Sequence, residues 1–226
     1  MGVQKSKNGL QMHMAQRKRT PPLPARSQPT PRGVEREVGP RPGVMIASTS
    51  EFDAMSHLMS LIRDVPDFPA PGVLFRDITP LLADPRGFHI ALDALAHRFT
   101  GEKIDAVAGV ESRGFIFGAA LAARLNASFV PIRKPGKLPA AVDRVSYSLE
   151  YGEAELEMHR DALADGAQVL VVDDLLATGG TAAAAASLVE RQGAFVHAFA
   201  FVIELRSLEG RARLGGGTVV SVLKFD

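Results

Sequence analysis

Beyond residue 101 the chain is a series of short apolar runs separated by longer amphipathic stretches. Residues 106–110, 128–132, 169–172 and 196–203 are rich in Val, Ile, Ala and Phe with little polar alternation, the pattern of strands buried on both faces. Residues 115–125 and 182–191 have helical composition, and an extended run at 218–224 closes the sequence. Strands alternating with helices predict an α/β fold in which crossover helices flank an open parallel sheet. Ligands in such sheets collect outside the carboxyl ends of the strands. Polar blocks begin at three of those ends, at Glu111, Arg133 and Asp173.

Upstream the pattern changes. Phe52, Met55, Met59 and Ile62 recur at helical spacing after a capping Ser50 and before Pro66, predicting a helix whose apolar side meets the core or another subunit. Residues 68–82, rich in Pro and Gly, read as an irregular loop with an extended piece at 73–75. Asp84 then caps a second helix, with Pro85 at its first position and Phe88, Leu92, Leu95 and Phe99 along one side. Between Ile132 and Leu156, more than 20 residues containing Pro135, Gly136, Pro139 and Gly152 show no such regularity, which in a compact domain points to a lid or a disordered segment.

Charge divides the chain more sharply than its total of +1 shows. Residues 1–45 hold nine Lys or Arg and two Glu, net +7, leaving the remainder at −6. With seven prolines and no aromatic residue, those 45 residues cannot bury enough surface to offset the entropy of ordering. A disordered basic Pro-rich extension over 1–49 is expected ahead of one domain at 50–226. An Arg-rich, acid-poor segment also suits a transit peptide, but the prolines spoil an amphipathic helix. Binding nucleic acid through charge alone is a further reading. A spacer, or sequence upstream of a start at Met45, Met55 or Met59, fits best. The chain has no cysteine, which excludes a disulfide framework, a zinc-thiolate site and a cysteine nucleophile. The six histidines are scattered with no i, i+4 pair. No apolar stretch is long enough for a bilayer, and a cytoplasmic enzyme without a membrane partner is expected.

The chemistry concentrates in residues 169–181, VLVVDDLLATGGT. An apolar strand runs into two carboxylates, Asp173 and Asp174, and then into a Thr-Gly-Gly-Thr turn that opens an Ala-rich helix. Gly179 and Gly180 allow a tight turn and a close backbone approach, while Thr178 and Thr181 set hydroxyls beside the free amides of a helix N-terminus, together a cradle for a phosphomonoester. Carboxylates would repel phosphate and suit neutral hydroxyls, such as those of a ribose one ring away. The loop lacks the Gly-Lys-Ser/Thr ending of a Walker A sequence, and no GxGxxG follows a candidate strand, so nucleotide hydrolysis and hydride transfer lose support.

This string resembles the phosphoribosyl pyrophosphate (PRPP) signature of the type I phosphoribosyltransferases. Four further blocks, FPAPGVLFRDITPLL at 68–82, GVESRGFIFG at 109–118, IRKPGKLP at 132–139 and YSLEYG at 147–152, are similar to the adenine-using members of that family. The resemblance implies an open parallel sheet with flanking helices, a small N-terminal hood at about 66–82 and a flexible catalytic loop at about 134–156. It implies transfer of the phosphoribosyl group of PRPP to adenine, giving AMP and pyrophosphate, with Mg2+ bound through PRPP, no direct protein ligand to the metal, and a homodimer. Glu150 matches the catalytic carboxylate, and Tyr151 its aromatic neighbour. Glu111, Ser112, Arg113, Lys137 and Tyr151 match the pyrophosphate site; Asp173, Asp174 and residues Ala177, Thr178, Gly179, Gly180 and Thr181 match the PRPP and AMP site. Adenine is expected against backbone groups of Leu74 and Arg76, with Phe75 and Leu175 on its two faces. Ser112 also has a structural reading, as the cap of the following helix, and the two are compatible because a helix N-terminus is itself an anion site. The rival readings are transfer to another base and a PRPP-sensing nucleic-acid-binding regulator, for which the sequence offers no helix-turn-helix pattern.

Overall fold

A computed structural model describes residues 47–149 and 152–226. Helix α1 (Ala47–Ser60) leads into strands β1 (Arg63–Pro66) and β2 (Leu74–Asp77), an antiparallel pair, and then helices α2 (Thr79–Ala83) and α3 (Pro85–His97). Strand β3 (Ala106–Val110), helix α4 (Gly114–Leu125) and strand β4 (Ser128–Ile132) follow. A hairpin of β5 (Val142–Leu149) and β6 (Gly152–His159) precedes β7 (Gln168–Leu176), α5 (Gly180–Arg191), β8 (Phe195–Leu205), two 3-10 turns (Arg206–Leu208 and Gly210–Leu214) and β9 (Val219–Phe225). The expectations for residues 1–46 lie outside the described residues.

Five parallel strands form the central sheet in the order β4-β3-β7-β8-β9. Successive residues of β7 face opposite layers: Val169 and Val171 pack with Leu188, Val189 and Met158 from α5 and β6, whereas Leu170 and Val172 pack with Leu81, Leu95, Phe117 and Leu121 from α2, α3 and α4. All of these side chains are fully buried, and each aliphatic one stabilises the fold by about 1.5–3 kcal/mol. That two-sided burial is why the strand reads as an unbroken apolar run. The sheet therefore carries α4 on one face and α5 on the other.

The N-terminal region departs from expectation in three places. α1 begins a turn before Ser50, so Ser50 lies inside the helix; Leu58 is its fully buried residue, while Phe52 and Met59 are 72% and 50% exposed. The stretch expected as one irregular loop contains β2 and α2, with Pro80 in the first turn of the helix. β1 has no sequence signal of its own, because Arg-Asp-Val-Pro holds a single apolar β-former. Asp84 caps α3 as expected, its carboxylate accepting the Gly87 N–H at 2.7 Å; Leu92 and Leu95 are buried along that helix, and Phe99 is buried just beyond its end.

The largest difference lies at 134–156, where the stretch read as irregular holds an antiparallel hairpin. Val145, Leu156 and Met158 are buried beneath α5. Glu157, 2% exposed, accepts from Arg144 and from the Gly136 N–H, and its backbone pairs with Arg133 at the end of β4. Polar residues on the exposed side of the hairpin had masked its alternating pattern. Strand β7 also runs four residues past the apolar run, so Asp173 and Asp174 lie within it, Asp173 opposite Phe201 of β8.

Candidate active site

The connections from β3 and β7 leave in opposite directions, β3 to α4 on one face and β7 to α5 on the other. Neighbouring strands whose connections diverge leave a crevice at their carboxyl ends. The register pairs Gly109 with Val172, which brings Glu111 and the two aspartates to one level. The crevice opens into a cavity of about 620 Å³ lined by Glu111, Ser112, Arg113, Lys137, Tyr147, Asp173, Asp174 and Thr181 among others. Residues more than 60 positions apart in sequence thus share one wall-to-wall space.

Glycines set the depth of this crevice. A Cβ on Gly114 would lie 2.8 Å from both Asp173 Oδ1 and the Val172 carbonyl, and one on Gly109 2.7 Å from the Phe129 ring. Only glycine lets the first turn of α4 approach β7 this closely. Asp174, 4% exposed, accepts from Arg113 Nε at 2.7 Å. Asp173 Oδ1 accepts the Asp174 N–H at 2.9 Å. Burial pushes the Asp173 carboxyl well above the usual carboxylate range, and the charge of Asp174 pushes it the same way. Burial raises Asp174 too, against the lowering influence of Arg113. Two adjacent acids, one of them paired with Arg113, offer acceptor oxygens that suit hydroxyl donors and repel a second anion.

The opposite wall is cationic and already ordered. Glu111 accepts from Lys137 Nζ at 2.5 Å, from Arg133 Nε at 3.2 Å and from the Lys134 N–H at 3.1 Å. Burial would raise Glu111, but the bonds from Lys137, Lys134 and Arg133 outweigh it and hold its carboxyl at about 2. Glu111 is thus an organiser of the cations, and its own charge is spent on them. Ser112 does not cap α4: Arg113 occupies the cap position with no side-chain cap bond, and Ser112 offers its carbonyl to the Phe115 N–H at 3.2 Å.

Beside the carboxylates, Asp173 and residues 175–182 line a recess of about 70 Å³, room for a phosphate-sized group, since one water occupies about 30 Å³ in the liquid. Gly179 has φ +80° and precedes Gly180, the first residue of α5, whose first-turn N–H groups have no partner inside the helix. A Cβ on Gly179 would lie 2.3 Å from the Gly210 carbonyl, and one on Gly210 2.2 Å from the Ala177 carbonyl. The turn is therefore braced, backbone against backbone, by the 3-10 turn that starts at Gly210. Sequence reasoning missed that brace, because a lone glycine 30 residues downstream carries no local signal. It also missed Tyr147, whose hydroxyl lies 3.3 Å from Thr181 Oγ1.

The hood reaches the same crevice. Phe75 is half-buried, with the Arg113 guanidinium 5.2 Å from its ring centre and Phe68 edge-on to it. Leu74 is exposed, and Leu175 is half-buried at the end of β7. The side chain of Arg76 is turned away, pairing with Asp64 and lying 4.4 Å over Phe225, so its backbone is the part available to a ligand. Glu150 and Tyr151 lie outside the described residues. Among the described residues no three acidic, His or Cys side chains converge as a metal cage.

Known proteins share this fold. The phosphoribosyl transferase domain family matches residues 81–213. The adenine phosphoribosyltransferase of Sorangium cellulosum is 69% identical over 161 residues, covering 71% of this chain and 80% of that protein. The solved structure of the enzyme from Thermoanaerobacter pseudethanolicus has a TM-score of 0.74 at 48% identity, covering 76% of this chain and 99% of the other. The Saccharomyces cerevisiae enzyme, solved with an imino-altritol bisphosphate and adenine, has a TM-score of 0.72 at 40% identity, with 76% and 99% covered. With the family matched over more than half its length and a near relative covered over most of its own, this chain belongs to the phosphoribosyltransferases, among the adenine phosphoribosyltransferases.

Proposed function

We propose that this enzyme transfers the phosphoribosyl group of PRPP to adenine, releasing AMP and pyrophosphate in purine salvage. The observation that carries this reading is the convergence, in one crevice, of a phosphate-sized recess, a pair of adjacent acids at the end of β7, a cationic wall and an aromatic hood residue. The ribose 5-phosphate enters the recess at 177–181 and takes hydrogen bonds from the first turn of α5. The 2- and 3-hydroxyls donate to Asp173 and Asp174. The diphosphate meets Arg113 and Lys137, which leave their carboxylate partners to follow the charge that grows on the departing oxygen.

Adenine lies between Phe75 and Leu175, its edge read by backbone groups of Leu74 and Arg76. The C1–oxygen bond of PRPP breaks, the ring nitrogen of adenine forms the new bond to C1, and the base loses its proton. Glu150 accepts that proton or stabilises the cationic sugar. Magnesium is the counter-ion of PRPP in this proposal; it takes phosphate oxygens, waters and few carboxylates, a donor set that the cavity walls leave to the substrate. When bound, it neutralises part of the leaving group's charge. A homodimer in the cytoplasm completes the proposal, and the exposed Phe52 and Met59 of α1 offer apolar surface for the subunit contact.

The test is a base panel with PRPP and magnesium, following pyrophosphate release. Adenine is expected to exceed guanine, hypoxanthine, xanthine and orotate by at least about tenfold in kcat/KM, a difference of only ~1.4 kcal/mol. Equal turnover of guanine or hypoxanthine refutes the substrate assignment.

A further inference from the structure

The phosphate turn itself, Thr178 to Thr181, contains no charged side chain. A cation nevertheless stands over it. Around the point where a side chain would begin at Gly180 lie Nη1 of Arg213 at 3.5 Å, Cδ2 of Tyr147 at 3.5 Å and the Ser148 carbonyl at 3.6 Å. Arg213 comes from the 3-10 turn that braces Gly179, and its Cβ would be 3.3 Å from a side chain at that residue. Tyr147 comes from the hairpin, lines the 620 Å³ cavity and meets Thr181 Oγ1 through its hydroxyl.

This is a poor position for an arginine on its own. The first turn of a helix carries partial positive charge, which disfavours a nearby cation. Arg213 forms no ion pair or side-chain hydrogen bond among the described residues, whereas Arg211, two positions earlier, is held by Glu204. A dianion seated between the guanidinium and the helix end would reverse the sign of the interaction, since charge-assisted bonds to phosphate are the stronger kind. Tyr147 is placed to donate to the same anion while keeping Thr181 in reach, its hydroxyl being both donor and acceptor.

We propose that Arg213 and Tyr147 are phosphate-binding residues, a cation from the C-terminal turn and a phenol from the hairpin that together complete the site for the ribose 5-phosphate. The inference rests on the reading of 177–181 as the phosphate cradle. It also makes the hairpin a direct contact of the phosphate, not only a cover for the reacting carbon.

The test titrates ribose 5-phosphate and, separately, inorganic pyrophosphate into the full chain by calorimetry. In Arg213→Gln the affinity for ribose 5-phosphate is expected to fall about tenfold and to depend less on salt, and in Tyr147→Phe to fall about threefold. Pyrophosphate affinity is expected to stay within about twofold in both. The chain has two tyrosines and no tryptophan, so in a Tyr151→Phe background the tyrosine emission reports Tyr147, and ribose 5-phosphate is expected to change it. Unchanged ribose 5-phosphate affinity in both variants, with Gly179→Val still weakening it, overturns the roles of Arg213 and Tyr147 and leaves the cradle standing. If Gly179→Val has no effect either, the cradle reading falls with them. Equal loss of both ligands in a variant marks a general disturbance and also overturns the inference.

Discussion

Gly210→Ala adds one methyl group at a position remote in sequence from the cradle, and the structure fixes what it must displace. The new Cβ would lie 2.2 Å from the Ala177 carbonyl oxygen and 2.9 Å from Leu176 Cδ1, whereas real Cβ contacts stay beyond 3.0 Å. The two backbones must therefore part by about 0.8 Å. Overpacking of this kind costs about 1–3 kcal/mol. Two responses are open to the protein: it keeps the contact and loses that stability, or it moves the Ala177 turn and loses phosphate geometry. At ~1.4 kcal/mol per factor of ten, the second response weakens ribose 5-phosphate binding by about 5- to 150-fold. The first lowers the melting temperature by roughly 2–4 °C per kcal/mol for a domain of this size. Differential scanning fluorimetry and calorimetric titration on one variant measure both. A melting temperature within about 1 °C of wild type together with ribose 5-phosphate affinity within about twofold refutes the brace.

Glu150→Gln keeps size and hydrogen bonding while removing charge, so kcat is expected to fall by at least about 100-fold with PRPP affinity little changed; an unchanged kcat with weakened PRPP binding makes Glu150 a binding residue. Glu111 is held at about 2, below its ordinary 4.5. A depressed acid stabilises the fold above its unfolded value and loses that contribution as pH falls through the folded one. The melting-temperature gap between wild type and Glu111→Gln is therefore expected to be constant above pH 4.5 and to close between 4.5 and about 2; a gap that does not vary with pH contradicts the network. Removing residues 1–45 is expected to leave melting temperature and adenine turnover unchanged, since a segment with seven prolines and no aromatic side chain has little to add to a core.

The central sheet was legible because its strands are buried on both faces, and such strands are written as plain apolar runs: β3 and β4 match their predicted bounds. The cap of α3 was legible because Asp84-Pro85 is a local signal. β1, α2 and the hairpin were not, since each is held by tertiary partners that no short window contains, as when Glu157 is satisfied by Arg144 and Gly136. In the candidate site, residue types at 169–181 pointed to phosphate and hydroxyl chemistry, and the structure draws those residues round one recess and one crevice. Its supports did not: the Gly210 brace and Tyr147 are brought to the turn by the fold, from 30 residues or more away. Nor did the sequence disclose that Glu111 accepts from both Lys137 and Arg133.

The divergence of β3 and β7 bears on the order in which products leave. The loop at 111–113, proposed to hold pyrophosphate, leads into α4, whose Phe117 and Leu121 are buried in the layer of α3, and the turn at 177–181, proposed to hold phosphate, leads into α5, buried in the layer of the hairpin. The two hydrophobic layers are separated by the sheet, so a local opening of one does not require the other to open. On the proposed assignments pyrophosphate departs while AMP stays clamped, and amide exchange is expected to register two independent events: protection of α4 by pyrophosphate, and of α5 by AMP.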